Sequence, residues 1–156
     1  VSKKTPTAIV LTRQNLPQLE GSGKKALKGG YIIKEASKAV ADMILIASGS
    51  EVSLAIDAAK ELESEGIATR VVSMPCTDVF ENQSKEYKEE VLPRAVRNRV
   101  AIEALSGFGW DKYTGLDGRV ISMNSFGASA PQEQLFKKFG FTKENVVATA
   151  KEVLNQ

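Results

Sequence analysis

The chain has 156 residues, a length typical of a single domain. Histidine is absent and cysteine occurs once, which excludes Ser-His-Asp and Cys-His catalytic arrangements, Cys/His zinc sites and any disulfide within the chain. The net charge of +2 is too small to indicate nucleic-acid binding, and no apolar run reaches the roughly 18 residues of a membrane span. A single cysteine favours a reducing compartment, so we expect a cytoplasmic protein.

The first thirty residues differ in composition from the rest of the chain. The apolar run Ala8–Thr12 predicts a short buried strand that ends at Arg13, although nothing nearby in the sequence could pair with it. Residues 21–30 are rich in Gly and Lys and have no apolar period, which is typical of a linker. We therefore predict a boundary here and a self-contained domain over residues 31–156.

From Tyr31 the pattern becomes regular. The run Tyr31–Ile33 predicts a short strand, and Met43–Ala47 is a continuous apolar run typical of a strand buried on both faces. Apolar residues at helical spacing over 52–62 predict a helix, and Ile67–Met74 predicts another strand. Strand, helix and strand in this order form a βαβ unit.

The second half of the domain continues the alternation of strands and helices. Strands are predicted at Val100–Ala104 and Arg119–Met123, and a short helix at Ser84–Val91. The spacing from Ser129 to Gln132 is that of a capping box. Thr142 is placed to cap a last helix, whose predicted apolar face is Val146, Val147, Ala150, Val153 and Leu154. We predict a three-layer α/β/α sandwich with a mostly parallel mixed sheet of about five strands and one antiparallel edge strand.

Polar side chains should gather at the carboxyl ends of the parallel strands, where open α/β sheets bind ligands. The turn at Gly49 and Ser50 could hold an anion at a helix N-terminus, but Ser50 as a simple helix cap is the favoured interpretation. Four groups are candidates at this edge, each at the end of a different predicted strand: Ser48-Gly49-Ser50, Cys76-Thr77-Asp78, Glu103 and Asn124-Ser125.

These candidates carry weak catalytic signals. Cys76 has no histidine to activate it, so a buried or half-buried structural thiol is favoured over a nucleophile. Glu103 has no carboxylate partner at a fixed spacing, which favours a structural role over acid–base catalysis. The aromatic cluster of Phe108, Trp110 and Tyr113 indicates an interface or a core plug more than base stacking. The linker lysines are most simply a solvated face: Lys24, Lys25 and Lys28.

Arg13 is a separate candidate. It follows the predicted N-terminal strand directly, and no carboxylate lies within six residues of it. A guanidinium at the end of a strand suits a phosphate, because its fork can bind two oxygens and stays charged at every physiological pH. The residues alone leave two interpretations open, a phosphate ligand and an ordinary surface arginine.

Several runs, in order and at matching spacing, closely resemble transketolase. They cover nearly the whole chain: Leu11–Pro17, Ala47–Val52, Arg70–Pro75, Val91–Pro93, Arg99–Ala104, Phe126–Pro131 and Phe139–Thr142. Related thiamine diphosphate enzymes differ at the Gly-Ser-Glu-Val turn and at the Phe-Gly-x-Ser-Ala-Pro loop. The departures are small: Cys76 stands where serine is expected, and Leu105–Gly109 differs in detail.

The resemblance implies that residues 31–156 are the C-terminal domain of a three-domain subunit, and that residues 1–20 are the tail of the preceding pyrimidine-binding domain. It implies a cytoplasmic homodimer that uses thiamine diphosphate and a divalent metal, Mg or Ca, both bound by the other domains and neither by this fragment. No catalytic, cofactor-binding or metal-binding residue of the family maps onto this chain. We expect no nucleic-acid or membrane partner.

The implied reaction is transfer of a two-carbon ketol unit from a ketose phosphate to an aldose phosphate, a step of the pentose phosphate pathway. Arg13 corresponds to the family arginine that binds the phosphate of the sugar substrate, so the resemblance favours the phosphate interpretation. The isolated fragment is expected to be inactive and to contribute to subunit structure and dimer contacts. Two alternatives stay open: a regulatory module that binds an anion or nucleotide at Gly49 and Ser50, and a related dihydroxyacetone synthase.

Overall fold

A computed structural model describes residues 6–156 and contains one mixed sheet of five strands in the order β1-β3-β2-β4-β5. The strands are β1 (Tyr31–Lys34), β2 (Met43–Ala47), β3 (Thr69–Ser73), β4 (Arg99–Glu103) and β5 (Arg119–Ser122). Strand β1 pairs antiparallel with β3, and the other neighbours are parallel. The predicted sheet, including its antiparallel edge strand, is therefore confirmed.

Helices cover both faces of the sheet. Their bounds are α1 (Glu51–Ser64), α2 (Thr77–Glu81), α3 (Lys85–Val91), α4 (Asp111–Thr114), α5 (Gln132–Phe139) and α6 (Lys143–Leu154). The short helices α2 and α4 were not predicted, because one turn of helix gives too few residues to reveal a period.

Two separate apolar clusters, one on each face of the sheet, hold the sheet between two layers of helices. On one face, α1 and α6 pack against alternate strand residues such as Leu45 and Ile102. On the other face, the intervening strand residues such as Ile46 pack with Phe80 and Trp110 from the segments around α2 and α4. The predicted apolar face of α6 is buried at Val146, Val147, Ala150 and Val153, and half-buried at Leu154. The α/β/α sandwich is thus confirmed.

The helix caps follow the sequence prediction in part. The Thr142 hydroxyl accepts a hydrogen bond from the Asn145 amide at 3.3 Å, so the predicted cap of α6 is confirmed. The capping box at Ser129 is wrong, because α5 begins only at Gln132 and Pro131 occupies the cap position. Proline is favoured at a helix start because its φ is fixed. Its side chain has no hydrogen-bond acceptor, so α5 begins without a side-chain cap.

The predicted strand at Ala8–Thr12 is wrong for this chain. Residues 6–12 form no strand, and the side chains of Ile9, Val10 and Leu11 are 77%, 90% and 80% exposed. An apolar strand needs a neighbouring strand and a core, and none of the five strands extends to this segment. The first five residues of the predicted tail 1–20 lie outside the described residues.

The predicted linker 21–30 ends in close contact with the domain. Residues Lys24–Lys28 form a turn of 3-10 helix, and the three linker lysines are exposed as expected. Gly29 and Gly30 are buried, and a Cβ on Gly29 would lie 2.3 Å from the Phe80 backbone nitrogen. Gly29 also has a φ of +83°, so any other residue would be strained at this position.

The carboxylate of Glu63 joins the end of α1 to two strands. Its Oε1 accepts hydrogen bonds from the amides of Ser37 and Thr69 at 3.0 and 2.8 Å, and Lys34 Nζ lies 3.6 Å away. Burial alone would raise the pKa of Glu63, but the hydrogen bonds from Ser37 and Thr69 and the charge of Lys34 outweigh it and lower the pKa to about 2.

We expect Glu63→Gln to lower the free energy of unfolding by about 2 kcal/mol at pH 7, because the amide keeps an acceptor but loses the charge. A depressed pKa stabilises the fold fully above the unfolded value of about 4.5, and this contribution is lost as the pH falls towards 2. Urea unfolding at pH 7 and pH 3 should therefore show a smaller difference between the two proteins at pH 3.

Glu61→Gln is the matched control for Glu63→Gln. Glu61 lies on the same helix and pairs with Lys143 at 2.8 Å on the surface, with 36% of its side chain exposed. Surface ion pairs contribute little, so we expect a loss within about 0.5 kcal/mol at either pH. Equal losses from the two substitutions would contradict the role assigned to Glu63.

Candidate functional site

The direction in which successive strands are added to the sheet reverses between β2 and β4. From β2 the chain crosses through α1 to β3 on one side, whereas β4 lies on the other side. Ligands of open α/β sheets bind in the crevice that such a reversal leaves at the carboxyl edge. The register pairs Ala47 with Ile102, so the residues that follow them, Ser48 and Glu103, meet at this crevice.

Two buried carboxylates lie at the crevice. Glu103 is 8% exposed, and its Oε2 accepts a hydrogen bond from the Ser48 hydroxyl at 2.8 Å. Glu51 is 3% exposed, and its Oε1 accepts from the Ser50 hydroxyl at 2.5 Å. Burial raises the pKa of Glu51 and the negative charge of Glu103 adds to the rise, while the Ser50 hydroxyl opposes it.

This geometry does not favour an anion at the Gly49–Ser50 turn. The Ser50 hydroxyl is already donated to Glu51, and a second carboxylate at Glu103 makes the surroundings more negative. Ser50 does occupy the cap position of α1, as predicted, but its hydroxyl makes no capping hydrogen bond to the helix. The two carboxylates therefore argue against a bound anion at this turn.

Beside the carboxylates lies an open cleft of about 800 Å³. Its polar lining includes Ser48, Cys76, Thr77 and Glu103, so the structure brings together members of three of the four predicted groups. Asn124 and Ser125 do not line this cleft and lie in an exposed loop after β5.

Cys76 is exposed, so the prediction of a buried or half-buried thiol is wrong. The residue lies in extended conformation just after β3, where the chain turns over the carboxyl edge into α2. Cys76 lies two residues beyond Met74, which is the buried residue directly after β3, and this position explains the exposure. With no histidine in the chain, the cleft offers no base of that type to activate the thiol.

The aromatic cluster divides into two parts. Trp110 and Tyr113 are buried against α4 and β4, with ring centroids 5.9 Å apart and an edge-to-face geometry. Burial raises the pKa of Tyr113, and its hydrogen bond to Glu81 raises it further. Phe108 is 95% exposed. The prediction of a core plug is therefore confirmed for Trp110 and Tyr113, whereas Phe108 lies on the surface.

Arg13 does not line this cleft. It is exposed in an irregular segment, and it forms no hydrogen bond or salt bridge within residues 6–156. The next residue, Gln14, has an amide oxygen that is buried without a partner among the described atoms. Residues 6–156 therefore supply no donor for this oxygen, and an unpaired buried acceptor is costly.

Neither a metal site nor a membrane span is found in the part of the chain that the structure describes. Between residues 6 and 156, no three His, Cys, Asp or Glu side chains gather in a way that could hold a metal ion. Over the same residues, no helix is long and apolar enough to cross a membrane.

The fold and the crevice define the chain as a doubly wound α/β domain with an antiparallel edge strand. Residues 29–142 match the family described as the transketolase-like TK C-terminal domain. The chain therefore belongs to this family, as its sequence runs predicted.

Individual relatives agree with this assignment. The transketolase of Halalkalibacterium halodurans is 55% identical over 98% of this chain, and that of Bacillus subtilis is 52% identical over 97%. A Pichia stipitis transketolase structure, described as a complex with xylulose 5-phosphate, matches 92% of this chain with a TM-score of 0.83 and 47% identity. The chain spans only 23% of the length of the two bacterial relatives and 20% of the Pichia chain.

Proposed function

We propose that the chain is the C-terminal part of a transketolase, which transfers a two-carbon ketol unit from a ketose phosphate to an aldose phosphate. The observation that carries this proposal is an identity of 52–55% to bacterial transketolases over 97–98% of the chain. The activity belongs to the whole enzyme, because this chain supplies about a quarter of its length and has no histidine for acid–base catalysis.

Thiamine diphosphate and a divalent metal, Mg or Ca, would be held by the part of the enzyme outside this chain. The cofactor supplies the electron sink for breaking and making the carbon–carbon bond. The residues described here do not fit a diphosphate–metal site. The buried carboxylate of Glu51 already accepts a hydrogen bond from Ser50, and that of Glu103 accepts one from Ser48. The negative charge of Glu103 also acts on Glu51. This chain's own contribution is to position the substrate.

Arg13 would supply that contribution by binding the phosphate of the sugar. Its guanidinium is exposed, and no carboxylate within six residues competes for it. The amide oxygen of Gln14 is buried without a hydrogen-bond partner among the described residues. This supports the proposal that contacts from outside the chain complete the segment around Arg13. A phosphate bound at the far end of the substrate holds the reacting carbon in place. Part of the binding energy then lowers the activation free energy of the reaction.

The proposal extends to assembly and location. The enzyme would be a cytoplasmic homodimer, and the free, exposed thiol of Cys76 supports a reducing compartment. The net charge of +2 gives no reason to add a nucleic-acid partner. A dihydroxyacetone synthase is the second candidate for the whole enzyme, since the Arg13 anchor would serve the phosphate of its ketose phosphate donor equally well. The carboxylates at the Gly49–Ser50 turn argue against the regulatory anion module.

Growth of a transketolase-deficient bacterium on a pentose tests the proposal. We expect growth when the cells express a chimera in which this chain replaces the corresponding quarter of the Bacillus subtilis enzyme. The same chimera truncated before this chain is the control and should not support growth. If the chimera accumulates as soluble protein and the cells still fail to grow, the proposal is wrong.

A further inference from the structure

Two buried carboxylates at the carboxyl edge lack a positively charged partner. Glu51 and Glu103 are 3% and 8% exposed, and neither takes part in an ion pair within residues 6–156. A buried carboxylate is ordinarily paired with a cation, because burial removes the water that stabilises its charge. The hydroxyl groups of Ser48 and Ser50 donate hydrogen bonds to the two carboxylates but bring no charge. This edge of the sheet therefore favours a bound cation.

Glu103 lines the cleft of about 800 Å³ and keeps hydrogen-bonding capacity there. Its Oε1 accepts from the Leu105 amide at 3.2 Å, and its Oε2 accepts from the Ser48 hydroxyl at 2.8 Å. A carboxylate can accept roughly four hydrogen bonds, so Glu103 can accept from a further donor. Hydrogen bonds to a carboxylate are strongest when the donor is positively charged.

The rest of the cleft wall is largely apolar and aromatic. It includes the rings of Phe108, Trp110 and Tyr113 and the side chains of Met74 and Pro75. Phe108 is 95% exposed, so its ring is accessible to a ligand. An aromatic ring attracts a cation to its face and also packs against carbon groups. A cleft of this size with apolar walls and few polar groups is typical of a small-molecule site.

Trp110 adds a hydrogen-bond donor that has no partner in the described part of the chain. The residue is only 8% exposed, and its indole nitrogen forms no hydrogen bond within residues 6–156. This nitrogen is not sealed from solvent, since it is absent from the fully buried unpaired atoms, and Trp110 lines the cleft. An uncharged oxygen of a ligand in the cleft would satisfy this donor.

Anions and metal ions fit the cleft less well than an organic cation does. Among the described residues that line it there is no Lys or Arg, so a phosphate or carboxylate ligand would meet only the negative charge of Glu103. Within residues 6–156, no three side chains gather in a way that could hold a metal ion. An organic cation needs one carboxylate for its charge and uses the aromatic wall for its carbon skeleton.

We propose that this cleft binds a small amino alcohol with an apolar body. The ammonium group donates to Glu103, the hydroxyl oxygen accepts from the indole N–H of Trp110, and the carbon skeleton packs against Phe108. The inference uses only the geometry of this chain, so it does not depend on the proposed ketol transfer.

The chain carries two reporters of binding, because its only tryptophan, Trp110, and its only cysteine, Cys76, both line the cleft. Leucinol is the probe, since it has an ammonium group, a hydroxyl group and an isobutyl group. We expect a saturable change in tryptophan fluorescence with a Kd of about 1 mM or lower. Labelling of the Cys76 thiol by a maleimide should slow over the same concentrations. No saturable change in either signal at about tenfold higher concentration would overturn the proposal.

Two matched ligands test the chemistry of recognition. Isohexyl alcohol is leucinol without its amino group, and leucine is leucinol with a carboxylate in place of its hydroxymethyl group. We expect each to bind at least about tenfold more weakly than leucinol, the first because it lacks the positive charge and the second because Glu103 repels its carboxylate. Equal affinities for the three ligands would show that the cleft accepts any apolar additive, which contradicts the proposal.

Substitutions in the cleft are compared with the same substitutions elsewhere on the surface. We expect Glu103→Gln to weaken leucinol binding at least about tenfold and Phe108→Ser about threefold. Glu61→Gln and Phe126→Ser change residues that do not line the cleft, so each should alter the Kd by less than about twofold. Phe108 is exposed, so Phe108→Ser keeps the test valid if Glu103→Gln lowers the Tm. Equal effects of cleft and control substitutions would overturn the assignment.

The chimera with the Bacillus subtilis enzyme tests whether the cleft is open in the whole enzyme. Calorimetry with leucinol should give a Kd within about threefold of that of the chain, and Glu103→Gln in the chimera should weaken binding as it does in the chain. Binding to the chain without binding to the folded chimera would show that the rest of the polypeptide covers the cleft, and the proposed site would be wrong. Ketol transfer by the same chimera reports on the proposed function separately.

Discussion

The isolated 156-residue chain should show no ketol transfer, even with thiamine diphosphate and magnesium added in excess. A transketolase needs a cofactor site, an acid–base apparatus and a place for two substrates. The chain has no histidine, and residues 6–156 offer no group of side chains that could hold a metal ion. The reaction is followed with xylulose 5-phosphate and an aldose phosphate, and the measured rate should equal that of buffer with cofactor.

A full-length relative such as the Bacillus subtilis enzyme serves as the positive control in the same assay. The folded state of the chain is verified first, because an unfolded sample would also be inactive. Turnover above background by the folded, purified chain would contradict the proposal that the chemistry lies outside these residues.

Arg13→Ala in the full-length chimera should weaken the use of phosphorylated sugars selectively. Removing one charge-assisted anchor for a phosphate costs about 1.5–3 kcal/mol in transition-state binding, which corresponds to about a 10- to 150-fold loss in kcat/KM. An acceptor without phosphate never uses this anchor, so its kcat/KM should be almost unchanged. The measurement is kcat/KM for both acceptors in the variant and the parent.

Arg13→Lys separates charge from geometry. A lysine keeps the positive charge but cannot bind two phosphate oxygens with a planar fork, so it should recover only part of the loss. An ordinary surface arginine predicts no effect on either acceptor. A purely structural role predicts equal losses on both, with a lowered Tm. A ratio of the two kcat/KM values that stays near that of the parent would show that Arg13 is not the phosphate ligand.

The central strands and long helices were predictable because each one has a clear period. Met43–Ala47 is apolar throughout, and it lies in the middle of the sheet between two parallel neighbours. The apolar spacing of α1 and α6 likewise predicted the faces that are buried. Local sequence failed at Ala8–Thr12, since β-forming residues make a strand only where a sheet is available to receive them.

The arrangement at the crevice could be predicted only in outline. The rule for carboxyl edges placed Ser48 and Glu103 at the same edge, but their contact depends on β2 and β4 being neighbours. Their separation in the sequence hides this contact, since the two residues are 55 positions apart. The exposure of Cys76 and Phe108 also depended on where each loop leaves the sheet.

Ketol transfer by the purified chimera tests the assignment of this chain most directly. The chain replaces the matching 23% of the Bacillus subtilis enzyme, and kcat/KM is measured with xylulose 5-phosphate and an aldose phosphate. We predict a value within about tenfold of the parent enzyme, since 52% identity over this segment preserves its fold. A folded chimera no more active than the parent truncated before this segment would contradict the account.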